Sequence, residues 1–381
     1  MIQTRIFILF LGLSTTLMGQ SAIHNFGNLK LHDKGSLGFH SDFINDSSFD
    51  KNLGLIGFYH DEAHLLISGT SSPVFHDFEM AIERDLYIDI TVSIDNSLNF
   101  IYGNIISSRD KKNVYLKLSE NAIYEGEMNL AKIDGHVAVE GQKKFSFPVG
   151  YEDILRPLTL TFIDETFFAK CEYYHENPDF PGSFSNGYDI NRRDKSLGSI
   201  STQEFWNLTT SGMVQIALTW GTECNLSSFT ENPENVIVTG WNKKTEQWDN
   251  LGNFEHEGSI DMGSVTSKTF NANDYEVFTL GFLKDINNND LGNYVLTPNG
   301  DGANDLFALE IIEEYPDNKL IIFNRDGLIV YEKADYRNEF RGIGNKNIVL
   351  NDQHLQAGVY FYILEIKEHN LKYQGYIYLA K

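Results

Sequence analysis

The sequence predicts an all-β protein built in three successive parts. Three observations predict it. The 381 residues include 27 Phe and 19 Tyr, and these share short runs with Val, Ile and Thr, residues that suit pleated, half-buried surfaces. Gly, Asn, Asp and Ser punctuate the runs at short intervals. No stretch shows the 3.6-residue apolar period, with caps, of a long amphipathic helix.

Residues 1–20, MIQTRIFILFLGLSTTLMGQ, read as a secretory signal peptide. Arg5 precedes the apolar block Ile6–Leu13, and small or polar residues and Gly19 follow it, the layout of an export leader. The block falls short of the ~20 apolar residues of a spanning helix, and no later segment approaches that length. The mature chain is therefore expected to carry no transmembrane segment. Cleavage is expected between Gly19 and Ser21, where no Cys offers a lipid anchor.

Residues 21–138 carry brief apolar strings. Leu29, Leu31, Leu37, Phe39, Phe43, Phe49, Leu55, Phe58 and Leu65 mark strands of only a few residues, and the spacing continues through DLYIDITVSIDNSLNFIYGNIISS. Near-regular short strands fit a small β-solenoid of about five or six coils better than a short-stranded sandwich.

In residues 139–284 the strands lengthen. Leu158–Phe162 (LTLTF) alternates cleanly, and Met213–Trp220, Asn235–Trp241 and Tyr275–Phe282 do so more loosely. This region reads as a β-sandwich. Trp206, Trp220, Trp241 and Trp248 all fall here; packing is their ordinary use, and a sugar-stacking platform is the functional alternative. Cys171 and Cys224 are the chain's two cysteines. In an exported protein they could pair or remain buried thiols, and two cysteines supply no framework that decides.

Residues 285–292 read as a polar linker. Asp285, Asn287 and Asn289 alternate as at the start of a calcium loop, but position six is Asp290 instead of Gly and no Glu follows at position twelve. Residues 293–381 then hold two hairpins. KLIIFNRDGLIVYE turns at Arg325-Asp326-Gly327, and GVYFYILEI returns through His369-Asn370 into LKYQGYIYLAK. Apolar residues in both phases of GVYFYILEI predict a strand covered on both faces. The last strand is expected to tie the C-terminus into the sheet.

Two strings invite chemistry. HDEAH, His60–His64, spaces two histidines as a helical zinc site would, yet Asp61 stands where the general-base Glu belongs and strand-like sequence flanks it on both sides. A solvated turn is expected. LTPNGDGANDLF, Leu296–Phe307, gathers Asn299, Asp301, Asn304 and Asp305 around two glycines. These oxygens suit either a plain turn or Ca²⁺, and no Gly-Lys-Ser/Thr follows that would make it a nucleotide loop. No other cofactor is required by the sequence. No Ser-His-Asp or Cys-His arrangement stands out.

The formal charge of -23 argues against nucleic acid, which demands a cationic footprint, and against electrostatic docking on an anionic membrane.

The C-terminal blocks carry a resemblance. TPNGDGANDLF, IFNRDGLIVYE, LQAGVYFYILEI and QGYIYLAK occur in order over about residues 293–381, and together they resemble the gliding motility-associated C-terminal domain, the type B sorting domain of the Bacteroidota type IX secretion system. The matching positions are Thr297, Pro298, Asn299, Gly300, Asp301, Gly302, Asn304, Asp305, Phe323, Asn324, Arg325, Gly327, Tyr331, Gly358, Tyr360 and Gly375. The chain departs from the family at Asp326, where an aromatic is usual, and at Phe340-Arg341-Gly342, where Trp-Asp-Gly is usual. The resemblance implies an Ig-like β-sandwich, engagement with the type IX translocon and its outer-membrane partners, and delivery to the cell surface or medium. KFSFPVG, RPLTL, ISTQEFWNL and FTLG in the middle region are similar to passengers of such proteins, without a transferable activity. The expected passenger is a non-enzymatic adhesin-like or structural module. A polysaccharide-binding or -degrading protein, with surface glycans as partners, is the alternative.

Overall fold

A computed structural model describes residues 22–165, 167–284, 293–309, 311–346, 354–367 and 371–380. The expected leader, the expected linker and the expected His369-Asn370 turn lie outside the described residues. The chain divides into two compact units, Met1–Arg192 with Ser201–Leu280 and Arg193–Ile200 with Gly281–Lys381.

The first unit opens as a parallel β-solenoid. Ile23–Asn25, Phe43–Asn45, Leu65–Gly69, Leu86–Ile88, Ile105–Ser107 and Ile133–Asp134 form one six-stranded sheet, every pair parallel. Ser36–Phe39, Leu55–His60, Val74–Ile82, Val92–Tyr102, Leu116–Leu118 and Val137–Val139 form the second ladder, also parallel. Each pairing step, such as Ile23 to Phe43 to Ile67, advances by roughly twenty residues, a repeat of one coil. The rungs match the expected solenoid.

Strand periodicity explains the packing. Phe39, Phe58, Phe75 and Phe78 point inward and are fully buried; Phe39 and Phe58 stack at 4.6 Å, and Phe58 meets Phe78 edge-on at 5.9 Å. Each such side chain contributes about 1.5–3 kcal/mol on burial. Polar groups taken inside are paired across coils. Asn25 and Asn45 are register partners, and Asn25 Nδ2 donates to Asn45 Oδ1 at 2.8 Å.

The solenoid leads directly into the sandwich. Val137–Val139 pairs in parallel with Leu116–Leu118 and antiparallel with Ala169–Tyr174. The sheet then continues through Phe205–Thr209, Tyr275–Leu283, Val236–Asn242 and Gln247–Gly252. The expected division at residue 138 thus falls inside one unit, because a strand of the last coil is also a strand of the sandwich. A separate sheet, Lys144–Phe147, Leu158–Phe162, Met213–Trp220, Gly263–Thr266 and Glu255–Gly258, supplies the other layer. Leu158–Phe162 and Met213–Trp220 alternate buried and part-exposed residues along their length.

In the second unit a five-stranded sheet runs in the order Tyr294–Leu296, Leu371–Leu379, Gly358–Ile366, Asn318–Phe323, Ile329–Ala334. Its core joins Leu320, Ile322, Tyr362, Leu364 and Ile377 to Phe307, Leu309, Ile312, Tyr336 and Phe340, which come from the segments covering one face. This layering agrees with the Ig-like sandwich. One expectation is corrected: Gly358–Ile366 is fully covered on one face alone. Tyr360, Tyr362, Leu364 and Ile366 are buried, whereas Phe361 in the opposite phase is 49% exposed. The period-2 alternation of the strand sends its second apolar set to the outer side.

Candidate functional site

The sixteen signature positions converge more than their spacing suggests. Leu296 pairs with Leu379, and Leu379 pairs with Gly358. The loop leaving Leu296 and the start of the Gly358 strand therefore share one end of the sheet. Phe323 pairs with Phe361, so the Asn324–Gly327 turn is placed at that same end. Arg325 lies beside Gly358, whose Cβ, if present, would sit 3.2 Å from its guanidinium. Tyr360 donates its hydroxyl to the Gln356 carbonyl at 2.8 Å. Gly375 and Tyr331 lie on the row next in from Phe323 and Phe361, Gly375 paired with Tyr362 and Tyr331 with Ile322.

The 297–305 loop is closed by its own side chains. Asp305 accepts the Gly300 N–H at 2.6 Å and the Gly302 N–H at 2.8 Å. Asn299 Oδ1 accepts the Asp301 N–H at 3.0 Å, and Asp301 Oδ1 accepts that of Ala303 at 2.8 Å. Thr297 N–H bonds to the Asn304 carbonyl at 2.8 Å. Gly300 and Gly302 have φ of 81° and 90°, and a Cβ at either would meet nothing within 4 Å, so conformation and not space demands glycine there. The backbone N–H donors hold the Asp305 carboxyl below its usual range. The oxygens considered for Ca²⁺ at Asn299, Asp301 and Asp305 thus accept from the loop's own groups, backbone N–H donors and, for Asp301 Oδ2, the Asn299 amide at 2.9 Å, and Asn304 serves through its carbonyl with φ at 53°. Among the described residues no group of three His, Cys, Asp or Glu is placed to hold a metal.

The hairpin turn follows the same logic. Asn324 accepts the N–H groups of Asp326 and Leu328 at 3.0 and 2.9 Å through its side-chain oxygen. This is the local turn chemistry that Asn-x-Asp-Gly sequences carry.

Residues 289–379 match the family of the CHU_C type IX secretion signal domain. This segment is a type IX secretion signal domain. No curated protein and no solved structure matches the chain. A type IX signal implies engagement of the secretion machinery and export to the cell surface or extracellular space. No helix among the described residues is long and apolar enough to cross a membrane.

In the first unit the tempting motifs resolve into structure. His60 ends the strand Leu55–His60, and its Nδ1 accepts the N–H groups of Glu62 and Ala63, both at 3.0 Å. His64 stacks edge-on with Tyr87 instead. HDEAH is a capped turn. All four Trp are buried: Trp206 donates to the Arg156 carbonyl, Trp220 to that of Ser259 and Trp248 to that of Tyr188, while Trp241 packs on Trp248 at 5.6 Å. No Trp platform faces solvent. Cys171 and Cys224 are separate, buried thiols.

Two buried ionic clusters were not visible in the sequence. Arg156 bonds Glu204 through Nε at 3.0 Å and Glu223 through Nη2 at 2.9 Å. Glu204 also accepts from the Tyr173 hydroxyl at 2.6 Å and the Cys224 thiol at 2.8 Å, and burial pushes that thiol up to about 12. Such a thiol is no nucleophile at neutral pH. In the second cluster Glu172 lies 3.1 Å from His136 Nδ1 and accepts from the Tyr174 hydroxyl. Arg109 approaches Asp134 Oδ1 at 2.8 Å and Glu172 Oε1 at 3.6 Å, neither contact being aligned as a hydrogen bond. Burial raises Glu172 to about 7 and lowers His136 to about 4. Apart from Glu172 and Tyr174, the partners lie tens of residues apart in sequence, at spacings that carry no local signature. Glu172, His136, Glu204 and Arg156 are all buried, which makes these clusters internal braces.

Proposed function

We propose that the chain is a surface-displayed, non-enzymatic binding protein, an adhesin-like passenger carried out by its type IX signal. The continuity of one sheet from the solenoid through the sandwich carries this reading. A single hydrogen-bonded sheet gives the passenger a rigid outer surface; Arg156, Glu204, Glu172 and His136 are buried beneath it, and the Arg156 cluster reaches solvent through the exposed Glu223. The burial of Cys224, Glu172 and His136 supports a structural use of the groups that a catalyst would expose.

The test expresses the full chain in a type IX-competent host and treats intact cells with protease. Loss of the passenger from whole cells, with retention after deletion of residues 289–381, supports the reading. Turnover of a polysaccharide by the purified chain would replace it with an enzymatic one.

A further inference from the structure

Gly38, Gly57, Glu79 and Asn99 form one register row on the outer side of the solenoid's second ladder. Neither glycine has a positive φ, so the backbone does not demand them; space does. A Cβ on Gly57 would fall 2.0 Å from the Tyr59 hydroxyl, and one on Gly38 would fall 3.3 Å from the Tyr59 ring. Tyr59 therefore folds back from its own strand and lies over the glycines. Its hydroxyl donates to one Glu79 oxygen at 2.9 Å, and Asn99 Nδ2 donates to the other at 3.1 Å. Burial and the Glu79 carboxylate push the phenol up to about 12, so it stays neutral.

A second ring extends the surface. Tyr59, Ala81 and Tyr102 are successive register partners, and a bulge between Phe100 and Tyr102 turns Tyr102 outward, 36% exposed. The backbone positions of the two tyrosines stand two strand spacings apart, roughly 10 Å along the solenoid axis, with Ala81 on the strand between them. Around them His40 lies 5.6 Å from the Tyr59 ring, Asp61 accepts from the Tyr102 hydroxyl at 3.2 Å, and Asp77 accepts from Asn96 and Ser97.

We propose that this row is a binding platform for a neutral, linear polysaccharide, whose sugar rings rest on Tyr59 and Tyr102 along the solenoid axis. Aromatic rings supply the apolar floor that a pyranose C–H face covers, and carboxylate and amide groups beside them accept its hydroxyls. Glu79, Asp61 and Asp77, with the net charge of -23, select against an anionic polymer. The inference rests on reading the passenger as a binding module, and it fails separately: a protein shaved from whole cells that binds no glycan leaves display standing and removes the platform.

The purified full chain is titrated with hexamers of neutral glucan, xylan, mannan and chitin by calorimetry, alongside Tyr59→Phe, Tyr59→Ala, Gly57→Ala and Tyr102→Ala, with thermal unfolding of each variant. At least one oligomer is expected to bind. Tyr59→Ala and Gly57→Ala should weaken it roughly tenfold or more, Tyr102→Ala severalfold, and Tyr59→Phe little, because the ring remains. Should Tyr59→Ala fail to fold, Tyr102→Ala at its exposed position decides. No binding to any oligomer, or unchanged affinity in the folded alanine variants, overturns the proposal.

Discussion

Gly375 stands directly opposite Tyr362 in the antiparallel pair of the signal domain, and a Cβ at Gly375 would lie 2.8 Å from the Tyr362 hydroxyl and ring. Tyr362 is fully buried and meets Phe307 edge-on at 5.0 Å. The glycine gives this ring its passage into the core. Gly375→Val is therefore expected to destabilise the domain by about 1–3 kcal/mol through overpacking. Thermal unfolding of the full chain measures the loss. In a Tyr362→Leu background the same change should cost less, and equal costs in both backgrounds would show that the ring is not what it strikes.

The 297–305 loop predicts a pH dependence. The folded Asp305 carboxyl lies below its usual 3.8, so its contribution is present above that value and is lost as pH falls through the folded one. Asp305→Asn should lower the domain's melting temperature at pH 7, and the gap to wild type should close on acidification below the usual carboxyl range. Because the loop oxygens accept from the loop's own groups, EDTA should leave the wild-type transition unchanged. A rise on adding Ca²⁺ would instead establish a calcium loop.

Arg156 predicts a large effect. Arg156→Met leaves Glu204 buried without its charge partner, a loss of about 3–5 kcal/mol. Urea unfolding of the full chain measures it at the first unit's transition, and a loss under about 1 kcal/mol would mean the pair is not a brace.

The Glu172–His136 pair predicts two opposed slopes. Glu172 titrates near 7 when folded against 4.5 unfolded, so its contribution is complete below 4.5 and is lost as pH rises to 7. His136 titrates near 4 when folded against 6.5 unfolded, so its contribution is present above 6.5 and is lost as pH falls to 4. Between 4.5 and 6.5 the two oppose each other. Glu172→Gln should expose the histidine, with stability rising by up to ~1.4 kcal/mol per pH unit across that window, and His136→Phe should expose the opposite slope. Urea midpoints across pH check both signs, and parallel slopes in the two variants would refute the assignment.

The solenoid, the sandwich strands and the Asn324–Gly327 turn were legible because their determinants are local. Leu158–Phe162 announces its burial by alternation, and Asn324 and Gly327 announce a turn by side-chain and backbone chemistry. The Gly358 strand misled because a both-phase apolar run records composition, and composition does not say which face another layer covers. The clusters at Arg156 and Glu172 and the Tyr59 row were illegible, since each is assembled from residues brought together by pairing across coils and sheets.

By itself, then, the sequence determined the all-β class, the coil repeat and the signal domain, all written in short-range period and in motifs that stay contiguous along the chain. Tertiary structure alone decided that solenoid and sandwich share a sheet, that the tryptophans are core, and that Gly38 and Gly57 make a bed for Tyr59. Those facts depend on strand register, which is set by the summed packing of every coil and has no signature at any single position.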